Sequence, residues 1–192
     1  MKNLYFVLLF TICYLMLGCT TTSSIVSEAQ PLSINKLSKG YHFAVAPFTG
    51  APNSDETGII AQKIVTDLLV TKNYEATLVS PSKVDSYFRT EALVLSEHDY
   101  QALETMASSL KTDIIIWGNI NQYTPYSFNR LAPATPPYIE MTLFGFQRGN
   151  LKIAKVKGHK QGGLPITIWD RQPTFEDIAK PLADTLLRDL IY

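Results

Sequence analysis

Residues 112–120, TDIIIWGNI, impose the strongest constraint on the fold of this chain. Three consecutive isoleucines and a tryptophan in so short a run indicate a central strand that is buried on both of its faces. A strand of this kind needs apolar cover on both sides. The run therefore predicts a layered fold with this segment near the middle of a sheet.

Strand and helix patterns alternate before this run. Residues 41–50, YHFAVAPFTG, predict a buried strand that ends in turn residues. Ser54 or Asp55 can then cap a helix, because apolar residues follow at helical spacing. That apolar face consists of Ile60, Ala61, Ile64, Val65 and Leu68. Residues 74–80 predict a second strand.

Two further helices are predicted before the central strand. The first begins at Pro81, since proline is well placed at the first helical position, and its apolar side carries Val84, Tyr87 and Phe88. Ser96 and Asp99 resemble a capping box that opens the second. Its predicted inward residues are Tyr100, Leu103, Ala107 and Leu110.

The chain after the central strand is predicted to form a loop, a hairpin and a helix. Four prolines in residues 124–138 exclude a regular element there. Residues 139–147 alternate in polarity, and 148–150 turn the chain so that 151–156 pair back as a hairpin. A loop over 158–173 leads to a last helix, whose predicted cap is Thr174 with Asp177. The apolar face of this helix is predicted to carry Ile178, Leu182, Leu186 and Leu190. Pro181 falls inside the helix and is expected to kink it or reset its start.

The element order is thus strand, helix, strand, two helices, strand, hairpin, helix. It predicts an α/β fold over residues 41–192: a single three-layer-like sandwich with a mixed β-sheet flanked by helices.

The N-terminal segment has the features of a signal sequence. One lysine precedes a 14-residue apolar stretch, LYFVLLFTICYLML, which is shorter than the roughly 20 residues needed to span a bilayer. The stretch MLGC resembles a bacterial lipobox, in which a small residue precedes a cysteine that is diacylated on sulfur. Gly18 and Cys19 match that pattern, and Met16 and Leu17 depart from it. An ordinary signal peptide and an uncleaved anchor are the alternatives.

The lipobox resemblance divides the chain into three parts. Residues 1–18 are a lipoprotein signal peptide, residues 19–40 are the lipidated Cys19 with a flexible polar tether, and residues 41–192 are a periplasmic domain. Thr20 follows Cys19 in place of the Asp that resembles an inner-membrane retention signal, which implies the outer membrane, facing the periplasm. A tether of this length averages about 25 Å end to end.

Charge and cysteine content narrow the range of partners. Lys plus Arg equals Asp plus Glu at 17 each, so no net positive field attracts nucleic acid. Both cysteines, Cys13 and Cys19, lie near the N-terminus, so the domain has neither an internal disulfide nor a cysteine pair for structural zinc.

The domain also resembles a known family. FAVAPFTG is similar to the first strand of the domain shared by the TolB amino-terminal domain, CsgG and LpoB. TDIIIWGNI is similar to a later strand of that family, where Asp113 and Gly118 match. YIEMTLFGFQRGNLKIAKVKG resembles its last hairpin. The resemblance implies the anticodon-binding-like fold of envelope lipoproteins.

No catalytic or ligand motif is found. His42, His98 and His159 lack metal-ligand spacing, GHKQGG is not a phosphate-binding loop, and no Gly-x-Ser-x-Gly occurs. We therefore expect a protein that is not an enzyme and that uses no cofactor or metal.

The better functional candidate is a surface. Aromatic residues, arginine and proline are concentrated in one predicted loop, and Tyr and Arg often dominate interface energies. The candidate partner-binding residues are Tyr123, Tyr126, Phe128, Arg130, Leu131 and Tyr138, with Trp169 and Arg171 in a second loop. These rings could equally fold back to cover a sheet edge.

The sequence thus favours an outer-membrane lipoprotein that acts as a protein-interaction or assembly component of an envelope machine, of secretion or flagellar type. It would bind envelope proteins and could self-associate into a ring. The alternatives are an activator that docks on a peptidoglycan synthase, as LpoB does, and a small-molecule or glycan-binding module.

Overall fold

A computed structural model describes residues 23–27, 40–52, 54–72, 77–91, 95, 99–129, 132–149, 153–163 and 171–191. The helices are α1 (Glu56–Thr71), α2 (Pro81–Glu91), α3 (Tyr100–Leu110) and α4 (Phe175–Ile191). The strands are β1 (Ser23–Ser27), β2 (His42–Val45), β3 (Thr77–Leu78), β4 (Ile114–Thr124), β5 (Ser127–Asn129), β6 (Ala132–Thr135), β7 (Tyr138–Gln147) and β8 (Ile153–Gln161).

Six strands form one mixed sheet in the order β1-β8-β7-β4-β2-β3. β2 runs parallel to both β3 and β4, whereas β4, β7, β8 and β1 are successively antiparallel. The predicted central strand is confirmed, because β4 lies inside the sheet and its first five residues are buried. The predicted hairpin is β7–β8.

Helices cover both faces of this sheet. The larger apolar cluster joins α1 and α4 to the face that carries Ile114, Ile116 and Met141. The other cluster joins α2 and α3 to the face that carries Ile115, Trp117 and Phe144. The predicted three-layer α/β sandwich is therefore confirmed, and the sheet supplies the middle layer.

Two residues that carried the family resemblance have structural roles here. The Asp113 side chain accepts a hydrogen bond from the backbone N–H of His42 at 2.9 Å, and the Asp113 N–H donates to the His42 carbonyl at 2.9 Å. Asp113 therefore ties the start of β4 to the start of β2. Gly118 lies where the ring of Phe48 crosses β4.

The polar segment predicted as a tether differs from the structure. Residues 23–27 form β1, which pairs antiparallel with β8 and becomes one edge of the sheet. The polar composition of this segment hid the strand, because an edge strand is held by backbone hydrogen bonds to one neighbour rather than by burial of alternating side chains.

The prediction of no regular element in the proline-rich segment is wrong. β5 and β6 form a separate two-stranded hairpin there, and Pro133 lies within β6. Every strand of a two-stranded ribbon is an edge strand, so a proline without an N–H is tolerated. β8 also continues to Gln161, where a loop was predicted.

Two smaller expectations about the helices are corrected. Pro181 does not reset the start of α4, which runs from Phe175 across it to Ile191. Tyr100 was expected to face inward but is exposed, since it is the first residue of α3. Asp99, predicted as the second member of a capping box with Ser96, is itself the cap of α3, and its side chain accepts from the N–H of Ala102 at 3.0 Å. Ser96 lies outside the described residues.

Candidate functional site

Among the described residues, no three His, Cys, Asp or Glu side chains converge as a metal site would require. His42 starts β2, His159 lies on β8, and His98 is outside the described residues. That the chain is not an enzyme stays a prediction.

Tyr123 does not belong to an exposed surface. It lies near the end of β4 and packs edge-on against Phe175 of α4, with the ring centroids 5.0 Å apart. Burial raises the pKa of the Tyr123 hydroxyl above its usual value. Tyr123 was predicted to lie in a loop, but it is a residue of β4, and its ring packs against helix α4.

The β5–β6 hairpin carries the exposed part of the predicted surface. Phe128 on β5 is 63% exposed, an unusual value for a phenylalanine. Tyr126, just before β5, is half-buried. Arg130 and Leu131 lie outside the described residues.

Tyr138 lies on the sheet beside the hairpin. It starts β7 and stacks on His159 of β8, with ring centroids 5.8 Å apart. Desolvation raises the pKa of Tyr138, the charge of Glu140 adds to this effect, and Lys157 opposes it. Glu140 and Lys157 form an ion pair at 2.9 Å on the same two strands.

Arg171 of the second predicted loop contacts the cap of α4. Arg171 donates to Asp177 at 2.7 Å, and Asp177 also accepts from the N–H and the hydroxyl of Thr174, as expected for the cap of α4. The bonds from Thr174, and then Arg171, lower the pKa of Asp177. Trp169 and Cys19 are outside the described residues.

A groove that the sequence analysis did not identify lies between α1 and α2. It has a volume of about 340 Å³, and it lies beside Pro47, which follows the carboxyl end of β2. Its lining residues are Pro47, Ile59, Gln62, Asp85, Phe88 and Arg89. The Gln62 amide bridges its floor, donating to the Val45 carbonyl at 3.2 Å and to Asp85 at 3.4 Å.

The groove combines exposed apolar surface with opposite charges. Ile59 is 70% exposed. Asp85 and Arg89 lie one turn apart on α2, and neither forms an ion pair within the described ranges. The sequence offered one signal: Ile59 falls outside the apolar stripe that places Ala61, Ile64 and Val65 in the core.

Known proteins share this fold but not a recognisable sequence. No family model matches the chain, and no curated protein matches it. The PelC dodecamer from Paraburkholderia phytofirmans superposes with a TM-score of 0.57 at 12% identity, over 88% of this chain and 97% of that one. The lipoprotein GNA1162 from Neisseria meningitidis superposes with a TM-score of 0.50 at 11% identity, over 78% of this chain and 94% of that one. The C-terminal domain of LpoB from Salmonella enterica superposes with a TM-score of 0.43 at 14% identity, over 64% of this chain and 83% of that one.

At these identities the likeness to PelC and GNA1162 establishes the fold. It extends over nearly the full length of both solved chains. Within the described residues, no helix has the length and apolar character needed to cross a membrane.

Proposed function

We propose that this chain is an outer-membrane lipoprotein, acylated at Cys19 and facing the periplasm, whose α/β domain acts through protein–protein contacts that include self-association. The observation that carries the proposal is the fold, which is that of a solved dodecamer and of a solved lipoprotein. We propose that, in this role, the protein is an assembly component of a cell-envelope machine of the secretion or flagellar type.

The lipobox supports the anchor. Gly18 and Cys19 follow an apolar stretch too short to span the bilayer. A single acyl chain binds a membrane only reversibly, whereas two chains hold a protein firmly. A diacylated Cys19 would therefore be sufficient to keep the domain at the membrane.

The α1–α2 groove supports self-association with a second copy of this chain. A two-fold contact requires a patch that is complementary to itself. Two α2 helices related by such an axis would bring Arg89 of each copy to Asp85 of the other. The same contact would cover Ile59 and Phe88, which leave apolar surface open in the single chain.

Cys19→Ser tests the anchor. We expect the wild type to fractionate with outer membranes and the variant to be lost from them. The diacylglyceryl group is attached through the sulfur atom of cysteine, which serine lacks. Membrane fractionation and the mass of the N-terminal peptide measure this directly. A variant that stays in the outer membrane would contradict lipidation at Cys19.

Arg89→Glu tests the groove as the contact between copies. Placing two like charges opposite Asp85 should weaken self-association by about tenfold or more, since close charge pairs across interfaces couple by about 1.5 kcal/mol at least. Analytical ultracentrifugation over a concentration series measures the change. The matched control is Lys83→Glu, an equal charge reversal on an exposed position of the same helix. Equal effects of the two variants would exclude the groove.

A further inference from the structure

The start of β1 limits how far the sheet can lie from Cys19. It begins at Ser23, four positions (23 − 19) after Cys19. Four extended residues reach at most about 14 Å. With Cys19 acylated, which is part of the proposed function, Ser23 is held within that distance of the lipid anchor.

The strand register shows which end of the sheet lies near Cys19. Ser23 lies opposite Lys160 of β8, and the neighbouring Gln161 lies opposite Tyr138 of β7. Tyr138 in turn lies opposite Thr124, the last residue of β4. With strands about 4.8 Å apart, β7 is about 10 Å from β1 across this end.

The β5–β6 hairpin extends from the same end. It connects Thr124 to Tyr138, so both of its stems leave the sheet there. Phe128 on this hairpin is 63% exposed. The exposed aromatic side chain therefore lies at the end of the domain that the anchor holds near the membrane.

A basic side chain lies at this end of the sheet. Lys160 of β8 pairs with Ser23, the first residue of β1. Of the other described lysines of β8, Lys155 lies opposite Phe144 toward the other end of the strand, and Lys157 forms an ion pair with Glu140. Basic residues are drawn to anionic headgroups, and aromatic side chains partition into the membrane interface.

We infer that the end of the sheet formed by the β5–β6 hairpin, Tyr138 and the start of β1 lies against the lipid surface, with Phe128 in the membrane interface. An interfacial apolar side chain of this kind is buried about 5–10 Å into the headgroup and acyl boundary. The exposed phenylalanine is thus a membrane contact and not a docking residue for a protein.

Phe128→Trp tests this inference in the acylated chain, reconstituted into vesicles of phosphatidylethanolamine and phosphatidylglycerol. We expect a blue-shifted emission from Trp at 128 and a loss of that emission when the acyl chains carry bromine, because bromine quenches indoles on contact. The wild type supplies the background from Trp117 and Trp169.

The matched control is Val70→Trp. Val70 is 62% exposed, near the end of α1, which runs back from the carboxyl end of β2 and so ends at the opposite end of the sheet. We expect no bromine-dependent loss there. Equal responses at the two positions would overturn the inference, as would a blue shift at 128 that persists in detergent without bromine quenching, which would indicate a protein contact.

The mass of the N-terminal peptide separates the two proposals. If Cys19 is acylated and Phe128→Trp is not quenched, the membrane orientation is wrong and the lipoprotein proposal stands. If Cys19 carries no lipid, the lipoprotein proposal is wrong, and the membrane orientation is overturned with it.

Discussion

Replacement of Leu186 by alanine is expected to lower the free energy of unfolding by about 2–5 kcal/mol. Leu186 lies in α4, is fully buried, and belongs to the apolar cluster that joins α1 and α4 to the sheet. The substitution removes apolar contacts and leaves a cavity that a sheet and two helices cannot easily close. Urea unfolding followed by circular dichroism measures the loss.

Val70→Ala is the control for this prediction. Val70 is 62% exposed on α1, so its truncation should change the free energy of unfolding by less than about 0.5 kcal/mol. A Leu186→Ala effect as small as that of the control would mean that α4 does not pack on the sheet as described.

Gly118→Ala is expected to destabilise the domain by about 1–3 kcal/mol or more, because it overpacks the core. A methyl group at Gly118 would lie 2.5 Å from the ring of Phe48 and 2.6 Å from the backbone carbonyl oxygen of Thr142. The ring can turn, but the oxygen is part of the β4–β7 ladder, in which Gly118 pairs with Leu143. The strain therefore reaches the centre of the sheet.

Gly163→Ala is the matched control, since a methyl group there meets no atom within 4 Å. We expect its unfolding midpoint in urea to stay near that of the wild type. If Gly118→Ala were equally neutral, the close crossing of Phe48 over β4 would be wrong.

The exposed position of Phe128 and the groove around Ile59 have different consequences for function. The hairpin lies at the end of the sheet where the chain arrives from Cys19, whereas the groove lies on the β2–β3 side, opposite the β1 edge. A domain held at its β1 end would keep the groove available to a second copy. The two proposals are therefore compatible in one molecule.

The exposure of the candidate surface residues was predicted only in part. The sequence drew attention to an aromatic and proline-rich segment, and Phe128 is exposed there as such a surface requires. Tyr123 belongs to the same aromatic segment, yet its ring packs on Phe175. The reason is that Tyr123 is a residue of strand β4 and not of a loop. The groove was missed because its walls come from two helices, and facing residues such as Gln62 and Asp85 are 23 positions apart in the chain.

The sequence alone determined the elements whose side chains are buried. Ile114–Ile116, the apolar stripe of α1 and the series from Ile178 to Leu190 all entered the core as their spacing predicted, since burial of apolar area is a property that a local pattern reports. The cap formed by Thr174 and Asp177 was predicted for the same reason, because it joins residues three positions apart in the chain.

Only the tertiary structure decided the features held by backbone pairing or by contacts between distant segments. β1 joins the sheet through β8, and its first pair, Ser23 with Lys160, is 137 positions apart (160 − 23). The hairpin of β5 and β6 forms despite its prolines. Backbone hydrogen bonds are available to every residue type except proline, so they leave little trace in composition. For that reason only the structure shows that Ser23–Ser27, within the polar segment predicted as a tether, forms an edge strand of the sheet.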